Sequence, residues 1–283
     1  MQKGPTQTCA NCNGELQGIY CHACGQKLIL PEDKKFKHFI EEIFSSLFFA
    51  DGKLFKTFRA LLTSPGKLSK SYIVGVRKKY INPIPLFLFV NLLYFLFPFT
   101  STFNTSLKTQ MSSFSYSKVI KVSIEEEVHA SEEPFEIFEK RYNKQSNSNA
   151  KLLLIVLVFL QALWFKLLLL NKKNTYFVDF FGASAYFNSF YIFSLLVCFP
   201  ILIVLINKVI DTEIVTLIGE NDFLFSLIFL VLILAYTILF LKKAFDTSTP
   251  EAMFKGIAVT LFIVPSFLIY RFILFWLTFW MIT

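Results

Sequence analysis

The sequence predicts an all-α integral membrane protein. Of its 283 residues, 54% are hydrophobic and only 17% are charged, whereas about a quarter of the residues in a soluble domain are charged. Phenylalanine alone occurs 36 times. A water-soluble chain of this length has no core large enough to bury so many rings, so lipid must solvate many of them.

Five apolar runs approach the length that a helix needs to cross roughly 30 Å of hydrocarbon. The first run begins at Pro83 and Pro85, which suit a helix start because proline lacks the backbone N–H. Pro98 interrupts the same run. The sequence therefore predicts about five transmembrane helices, over residues 84–103, 151–170, 184–206, 223–241 and 257–282.

The positions of lysine and arginine predict the orientation of these helices, because cytoplasmic loops carry an excess of both residues. Residues 1–83 hold 13 basic and 6 acidic residues, while the long loop at 104–150 holds 6 basic and 7 acidic ones. Residues 1–31 lack the apolar run of a cleavable secretory signal. We therefore expect a protein of the cell inner membrane with a retained, cytoplasmic N-terminus, an extracytoplasmic 104–150 loop and an extracytoplasmic C-terminus.

Four of the five cysteines form two C-x-x-C pairs, Cys9/Cys12 and Cys21/Cys24, separated by eight residues. This spacing supplies four thiolates for a tetrahedral Zn²⁺, and each pair can occupy one edge of the tetrahedron. Gly14 and Gly25 follow the pairs, where a knuckle needs a positive φ or a backbone close to sulfur. The spacing predicts a zinc ribbon over residues 1–30. A disulfide, free thiols or an iron centre of the rubredoxin type are the alternatives.

Residues 31–83 form a basic amphipathic segment between the cysteines and the first span. Their apolar positions follow the i, i+3, i+4, i+7 spacing of a helical face. The spacing predicts one juxtamembrane helix across residues 36–48 and a second that ends at Ser64-Pro65-Gly66. The apolar stripe of the second helix consists of Leu54, Phe55, Phe58, Leu61 and Leu62. These helices either lie on the inner leaflet or pack on the cytoplasmic ends of the spanning helices.

Three short motifs resemble a family of uncharacterised bacterial multi-pass membrane proteins, a domain-of-unknown-function family. They are GIYCHACGQ at residues 18–26, Pro65-Gly66, and YIVGVRKKYINP at residues 72–83. The resemblance implies a multi-pass helical protein in which an N-terminal zinc ribbon precedes a Y-x-x-G-x-R-x-x-Y-x-x-P element and then the first span. It implies no catalytic activity, and the acidic 104–150 loop has no counterpart in it.

The element before the first span carries the residues that we predict at the membrane interface. Aromatic rings and cations anchor a span at headgroup depth, and the element offers Tyr72, Arg77, Lys78, Lys79 and Tyr80. The alternative role for its three cations is to clamp a lipid headgroup or a phosphate.

Arg271 is the charge that falls well inside a predicted span, where a lone cation costs about 2.5–3.5 kcal/mol on insertion scales. We expect either a polar partner on the same or another helix or a position nearer the external surface. The candidate partners are Tyr270, Asn188, Gln161 and Asn91. No acidic residue falls inside a predicted span, and Cys198 is expected to be a small buried apolar side chain.

The sequence contains no G-x-S-x-G, P-loop, G-x-G-x-x-G or H-E-x-x-H motif. We therefore expect a non-enzymatic scaffold or assembly factor, embedded in the lipid bilayer, whose ribbon recruits a protein partner. A transporter or channel that uses Arg271 and the broken first span is the first alternative. A lipid-headgroup-modifying enzyme that uses residues 72–80 is the second. We do not expect nucleic acid as a partner, because the aromatic residues of the amphipathic segment lie on one helical face, as buried residues do. A homo-oligomer is possible.

Overall fold

A computed structural model describes residues 8–16, 18–29, 53–96, 103–172, 175–202, 205 and 222–283 of the chain. The helix predicted over 36–48 lies outside these residues, as do residues 206–221 before the fourth predicted span. Within the described residues the fold is helical, apart from two isolated antiparallel bridges in the ribbon, Thr8 to Glu15 and Tyr20 to Lys27.

Ten helices lie within the described part of the chain, and we number them in chain order. They are α1 (Lys53–Thr63), α2 (Lys67–Ile73), α3 (Pro83–Leu96), α4 (Leu107–Ser112), α5 (Ser117–Ser131), α6 (Phe135–Leu153), α7 (Ile155–Leu168), α8 (Phe177–Phe190), α9 (Asp222–Ala244) and α10 (Thr249–Ile282). A π-helical turn, Tyr191–Cys198, prolongs α8, and helix continues to Leu202.

Among the described residues, three helical segments are long and apolar enough to cross a membrane: Phe177–Leu202, Leu227–Ala244 and Thr249–Ile282. They correspond to the last three predicted spans. The pair α6–α7 would add a fourth span, although it bends by 43° between its two helices. The described part of α3 has 14 residues, fewer than a full span needs. The structure therefore supports a membrane protein but does not confirm the count of five spans.

The predicted loop at 104–150 is largely helical. It holds α4, α5 and most of α6, and the span predicted over 151–170 begins only at α7, after a break at Leu154. Helix α6 packs on α10 through Phe138 and Tyr142, whose rings lie 6.5 and 5.7 Å from those of Phe279 and Phe275. The sequence pattern did not predict this helix because its buried face also carries polar residues, Ser146 and Asn149 among them. We call residues 103–147 the cap.

Helix α1 ends before Ser64, as predicted, and it packs on the bundle through one side of its apolar stripe. Its buried residues are Thr57, Ala60 and Leu61. The Phe58 ring lies 4.5 Å from that of Phe193 in the prolonged α8. The other side of the stripe, with Leu54, Phe55 and Leu62, stays exposed. The described part of the juxtamembrane segment therefore packs as a core helix and still presents apolar side chains outward.

One end of the bundle holds α2 together with the α7–α8 and α9–α10 turns. The loop after α2 contacts the ribbon, so we call this end the ribbon end. Lys70, in α2, forms an ion pair with Asp246 in the α9–α10 turn. Lys172, in the α7–α8 turn, donates to the Asp246 carbonyl at 3.2 Å. The cap packs on Phe275 and Phe279, about 40 Å further along α10 at 1.5 Å per residue. The ribbon end and the cap are therefore at opposite ends of the bundle.

Helix α8 begins earlier than predicted and brings an acidic residue into the first turn of a spanning helix. The prediction of a start at residue 184 therefore placed the boundary too late, and the expectation of acid-free spans is wrong at this position. Asp179 is fully buried, and one carboxylate oxygen accepts a hydrogen bond from the Tyr176 backbone N–H at 2.9 Å. A carboxylate suits this place because it satisfies an amide at the positive N-terminal end of the helix.

Candidate metal centre and the ribbon docking site

The four N-terminal cysteines converge on one point. Their sulfur atoms all lie within 4.8 Å of one another. The Cys9 and Cys24 sulfurs are 3.6 Å apart, and those of Cys12 and Cys21 are 3.5 Å apart. Zn–S bonds of about 2.3 Å in a tetrahedron give S···S distances of about 3.8 Å. The cysteines are free rather than disulfide-bonded, so the donor set fits one tetrahedral metal ion.

Two tight backbone turns position the sulfurs. In the first, the Asn13 N–H donates to the Cys9 carbonyl at 2.8 Å; in the second, the Gly25 N–H donates to the Cys21 carbonyl at 2.8 Å. Gly25 has the positive φ that was predicted, but in the first turn Asn13, not Gly14, has it. Gly14 meets the other condition, because a Cβ there would lie 3.5 Å from the Cys12 sulfur.

The surroundings of the sulfurs favour thiolate at one position and oppose it at another. Hydrogen bonds from the Gln26 backbone N–H and the Asn11 side chain lower the pKa of Cys24 to about 6. At Cys12, the Gly14 backbone N–H also favours the thiolate, but the neighbouring cysteines outweigh it and raise the pKa to about 12. A divalent cation would remove this opposition, because it neutralises neighbouring thiolates. His22 is exposed and is not part of the cluster.

The ribbon docks on the segment that follows α2. Gln26, only 5% exposed, donates from Nε2 to the Gly75 carbonyl at 2.7 Å. Its Oε1 accepts from the backbone N–H groups of Arg77 at 3.1 Å and Lys78 at 3.4 Å. Both ends of one side-chain amide are therefore bound to the Y-x-x-G-x-R-x-x-Y-x-x-P element. The sequence gives no signal for this contact, which joins residues about 50 positions apart.

The five residues predicted at the membrane interface divide into two groups. Tyr72, at 2% exposed, and Tyr80 are buried within the protein. The half-buried guanidinium of Arg77 lies 4.2 Å from the centre of the Tyr72 ring. Lys78 and Lys79 are exposed. The two tyrosines thus contribute to the protein core, and contact with lipid headgroups remains a prediction for the two exposed lysines.

Arg271 lies where the cap meets α10. Its guanidinium carbon is 4.9 Å from the centre of the Phe114 ring and 5.6 Å from that of Phe267. Burial raises the pKa of the nearby Tyr116 to about 12, and the positive charge of Arg271 opposes that shift. Aromatic rings therefore surround the cation, and the cap residue Phe114 was not among the predicted partners. A position nearer the external surface stays a prediction for Arg271.

A cavity lined by both apolar and polar side chains lies between α7, α8 and α10, near the middle of the last helix. It is lined by Leu157, Gln161, Phe187, Asn188, Tyr191, Ile263, Ser266 and Phe267. The π-helical turn begins at this cavity, and Pro265 lies inside α10 beside it. Asn188 donates to the Ser184 carbonyl and Ser266 accepts from the Trp164 indole N–H, each at 2.9 Å. Two of the polar residues considered as partners of Arg271 therefore line this cavity instead.

Comparison with known proteins gives one match. Residues 51–95 match the model of a family described as a protein of unknown function, DUF3667. The matched segment holds α1, α2, the loop that binds Gln26 and nearly all of α3. It leaves out the four cysteines and the last spanning helices. No curated protein and no solved structure matches the chain.

Proposed function

We propose that this chain is a non-enzymatic scaffold or assembly factor of a bacterial inner membrane, whose zinc ribbon recruits a protein partner. The convergence of four cysteine sulfurs within 4.8 Å carries the proposal. Four thiolates complete the coordination of a tetrahedral ion and leave no open position for a substrate. Such a centre stabilises a fold and does not activate water, which favours a binding role for the ribbon.

Zinc is the metal that we propose for the ribbon. An S₄ site accepts both zinc and iron, and the doubled C-x-x-C spacing is typical of structural zinc modules. The ribbon buries little apolar surface beyond Cys9 and Cys21. Its folding therefore depends on a permanently bound ion.

The ribbon carries an exposed apolar surface beside the metal site. Ile19 and Tyr20 are 55% and 64% exposed, and they directly precede Cys21. Tyrosine is enriched at protein interfaces because it adds a large contact area at a small cost in side-chain entropy. We propose these two side chains as the contact for the partner.

We propose five spans: α3, residues 151–170 at the end of α6 and in α7, and the three long apolar segments, with the ribbon end in the cytoplasm. The excess of lysine and arginine in residues 1–83 supports this orientation. The clustering of the α7–α8 and α9–α10 turns near Lys70 also supports it, because five alternating spans bring these turns to the side of the N-terminus.

A surface variant tests recruitment without unfolding the ribbon. In affinity capture from detergent extracts, we expect Tyr20→Asp to lose the proteins retained by the unsubstituted chain, because a carboxylate replaces an apolar contact. The variant should keep its metal, since Tyr20 contributes no ligand. Cys21→Ser/Cys24→Ser, which removes two ligands, should lose the same proteins together with the metal. Recovery of identical proteins by all three chains would contradict recruitment by the ribbon.

A further inference from the structure

The ribbon and the loop between α2 and α3 form a contact that links the metal site to the spanning helices. We infer that the Gly75–Lys78 segment is the docking surface of the metal-folded ribbon, and that loss of the metal releases this surface. The inference rests on the proposed function, because it requires a ribbon that is folded by its metal. It adds that the ribbon binds a segment of its own chain, and that this contact forms only while the metal is bound.

The contact is specific because Gln26 offers one donor and one acceptor to a backbone that matches both. Nε2 meets the Gly75 carbonyl at 2.7 Å, and Oε1 meets the Arg77 and Lys78 N–H groups at 3.1 and 3.4 Å. A buried amide left without these partners would be unfavourable. The ribbon therefore has one preferred position on the loop.

The main chain of Gln26 is held by the metal-binding cysteines themselves. Its N–H donates to the Cys24 sulfur, and its carbonyl accepts from the Cys21 N–H at 2.9 Å. The side chain is thus aimed by the same turn that places two sulfurs. When the ion leaves, the turn loses its stabilisation and the Gln26 side chain loses its fixed direction.

Gly75 gives the loop a backbone conformation that favours glycine, and it lies in apolar contact with the ribbon. It is buried and has a φ of 91°, a backbone conformation that L side chains rarely adopt. A Cβ at this position would lie 3.6 Å from Cγ1 of Ile29 and 3.9 Å from Cβ of Ala10. Apolar contact with the ribbon thus accompanies the three hydrogen bonds.

The far side of the loop is fastened to α8. The Arg77 guanidinium lies over the Tyr72 ring, and that ring packs so closely on Gly182 that a Cβ there would lie 2.7 Å from its Cε1 atom. The Tyr186 hydroxyl donates to the Ile81 carbonyl at 2.7 Å. The residues that Gln26 binds therefore lie between two attachments to α8, and α8 is part of a long apolar segment.

Hydrogen–deuterium exchange of the Arg77 and Lys78 amides tests the inference, because both N–H groups donate to Gln26. The full-length protein in lipid nanodiscs is compared before and after a chelator removes the metal. We expect both amides to exchange roughly tenfold faster after removal, as the loss of two or three hydrogen bonds implies. Gln26→Ala should show the same fast exchange while elemental analysis still finds the metal.

Glu15→Gln is the matched control, since Glu15 is exposed on the ribbon and takes no part in the Gln26 hydrogen bonds to the loop. It should retain both the metal and slow exchange. Equal exchange of the two amides with and without bound metal would refute the docking inference but leave the proposed function standing. A purified chain that binds no metal would refute the proposed function instead.

Discussion

Replacing Cys21 by serine is expected to reduce the metal content of the purified protein from one zinc ion per chain to none and to unfold residues 8–29. The Cys21 sulfur lies 3.5 Å from that of Cys12 inside the four-cysteine cluster, and a tetrahedral site that loses one thiolate binds zinc far more weakly. Structural zinc contributes on the order of 10–16 kcal/mol to the folding of such peptides. Elemental analysis and proteolysis at the exposed Lys27 measure the two effects.

Cys198→Ser provides the control for this prediction. Cys198 is half-buried in the π-helical turn after α8, far along the chain from the ribbon, and we expect the variant to keep its full metal content. If Cys21→Ser also retains one ion per chain, the four-cysteine assignment is wrong. If elemental analysis finds iron in place of zinc, the four-cysteine site stands and only the identity of its metal changes.

Replacing Gly66 by alanine is expected to lower the free energy of unfolding by about 2–4 kcal/mol, because strain and a steric clash add together. Gly66 joins α1 to α2 with a φ of 76°. A Cβ there would lie 2.5 Å from the Phe240 carbonyl oxygen and 2.8 Å from the Ala244 nitrogen. Both atoms belong to the backbone of α9, so no side-chain rotation relieves the overlap. Thermal unfolding in detergent measures the change.

Gly18→Ala is the companion variant, because a Cβ on Gly18 meets no atom within 4 Å. We expect it to unfold at the temperature of the unsubstituted protein. Equal unfolding temperatures for the Gly66 and Gly18 variants would mean that the α1–α2 turn does not pack on α9 as described.

Local sequence patterns were sufficient to predict the clustering of the four cysteines and the end of α1. Two C-x-x-C pairs specify a tetrahedral site because the bite of each pair is set within a single turn. The end of α1 at Ser64-Pro65-Gly66 likewise follows from residues next to each other in the chain. The structure confirms that the four sulfurs cluster and that α1 ends before Ser64. The identity of the ion stays a prediction.

The cap could not be predicted because its signals conflict with simple hydropathy. Helix α6 buries Asn149, which donates to the Thr278 hydroxyl of α10 at 3.1 Å, so its inner face does not form an apolar stripe. The 43° bend after Leu153 then joins this polar helix to the apolar α7. A prediction from hydropathy therefore assigns α6 to a loop and α7 to a span.

Long-range polar contacts are the other part that the sequence does not reveal. Gln26 reads as an ordinary surface residue after a cysteine pair, and its role depends on a carbonyl and two amides in the loop after α2. Arg271 is conspicuous in the sequence, but its neighbour Phe114 comes from the cap, a region with no predicted structure. In both cases the folded chain supplies a partner that residue spacing cannot specify.

Labelling of single introduced cysteines from one side of the membrane tests most directly whether the ribbon end and the cap lie on opposite sides. Val122→Cys lies in the cap at a position 54% exposed, and Lys67→Cys lies at the exposed start of α2. In sealed right-side-out vesicles, a membrane-impermeant maleimide should modify the cysteine at 122 above the background of the unsubstituted chain. The cysteine at 67 should react only after the vesicles are opened. Equal labelling of both positions before opening would contradict a membrane-spanning bundle with a cytoplasmic ribbon.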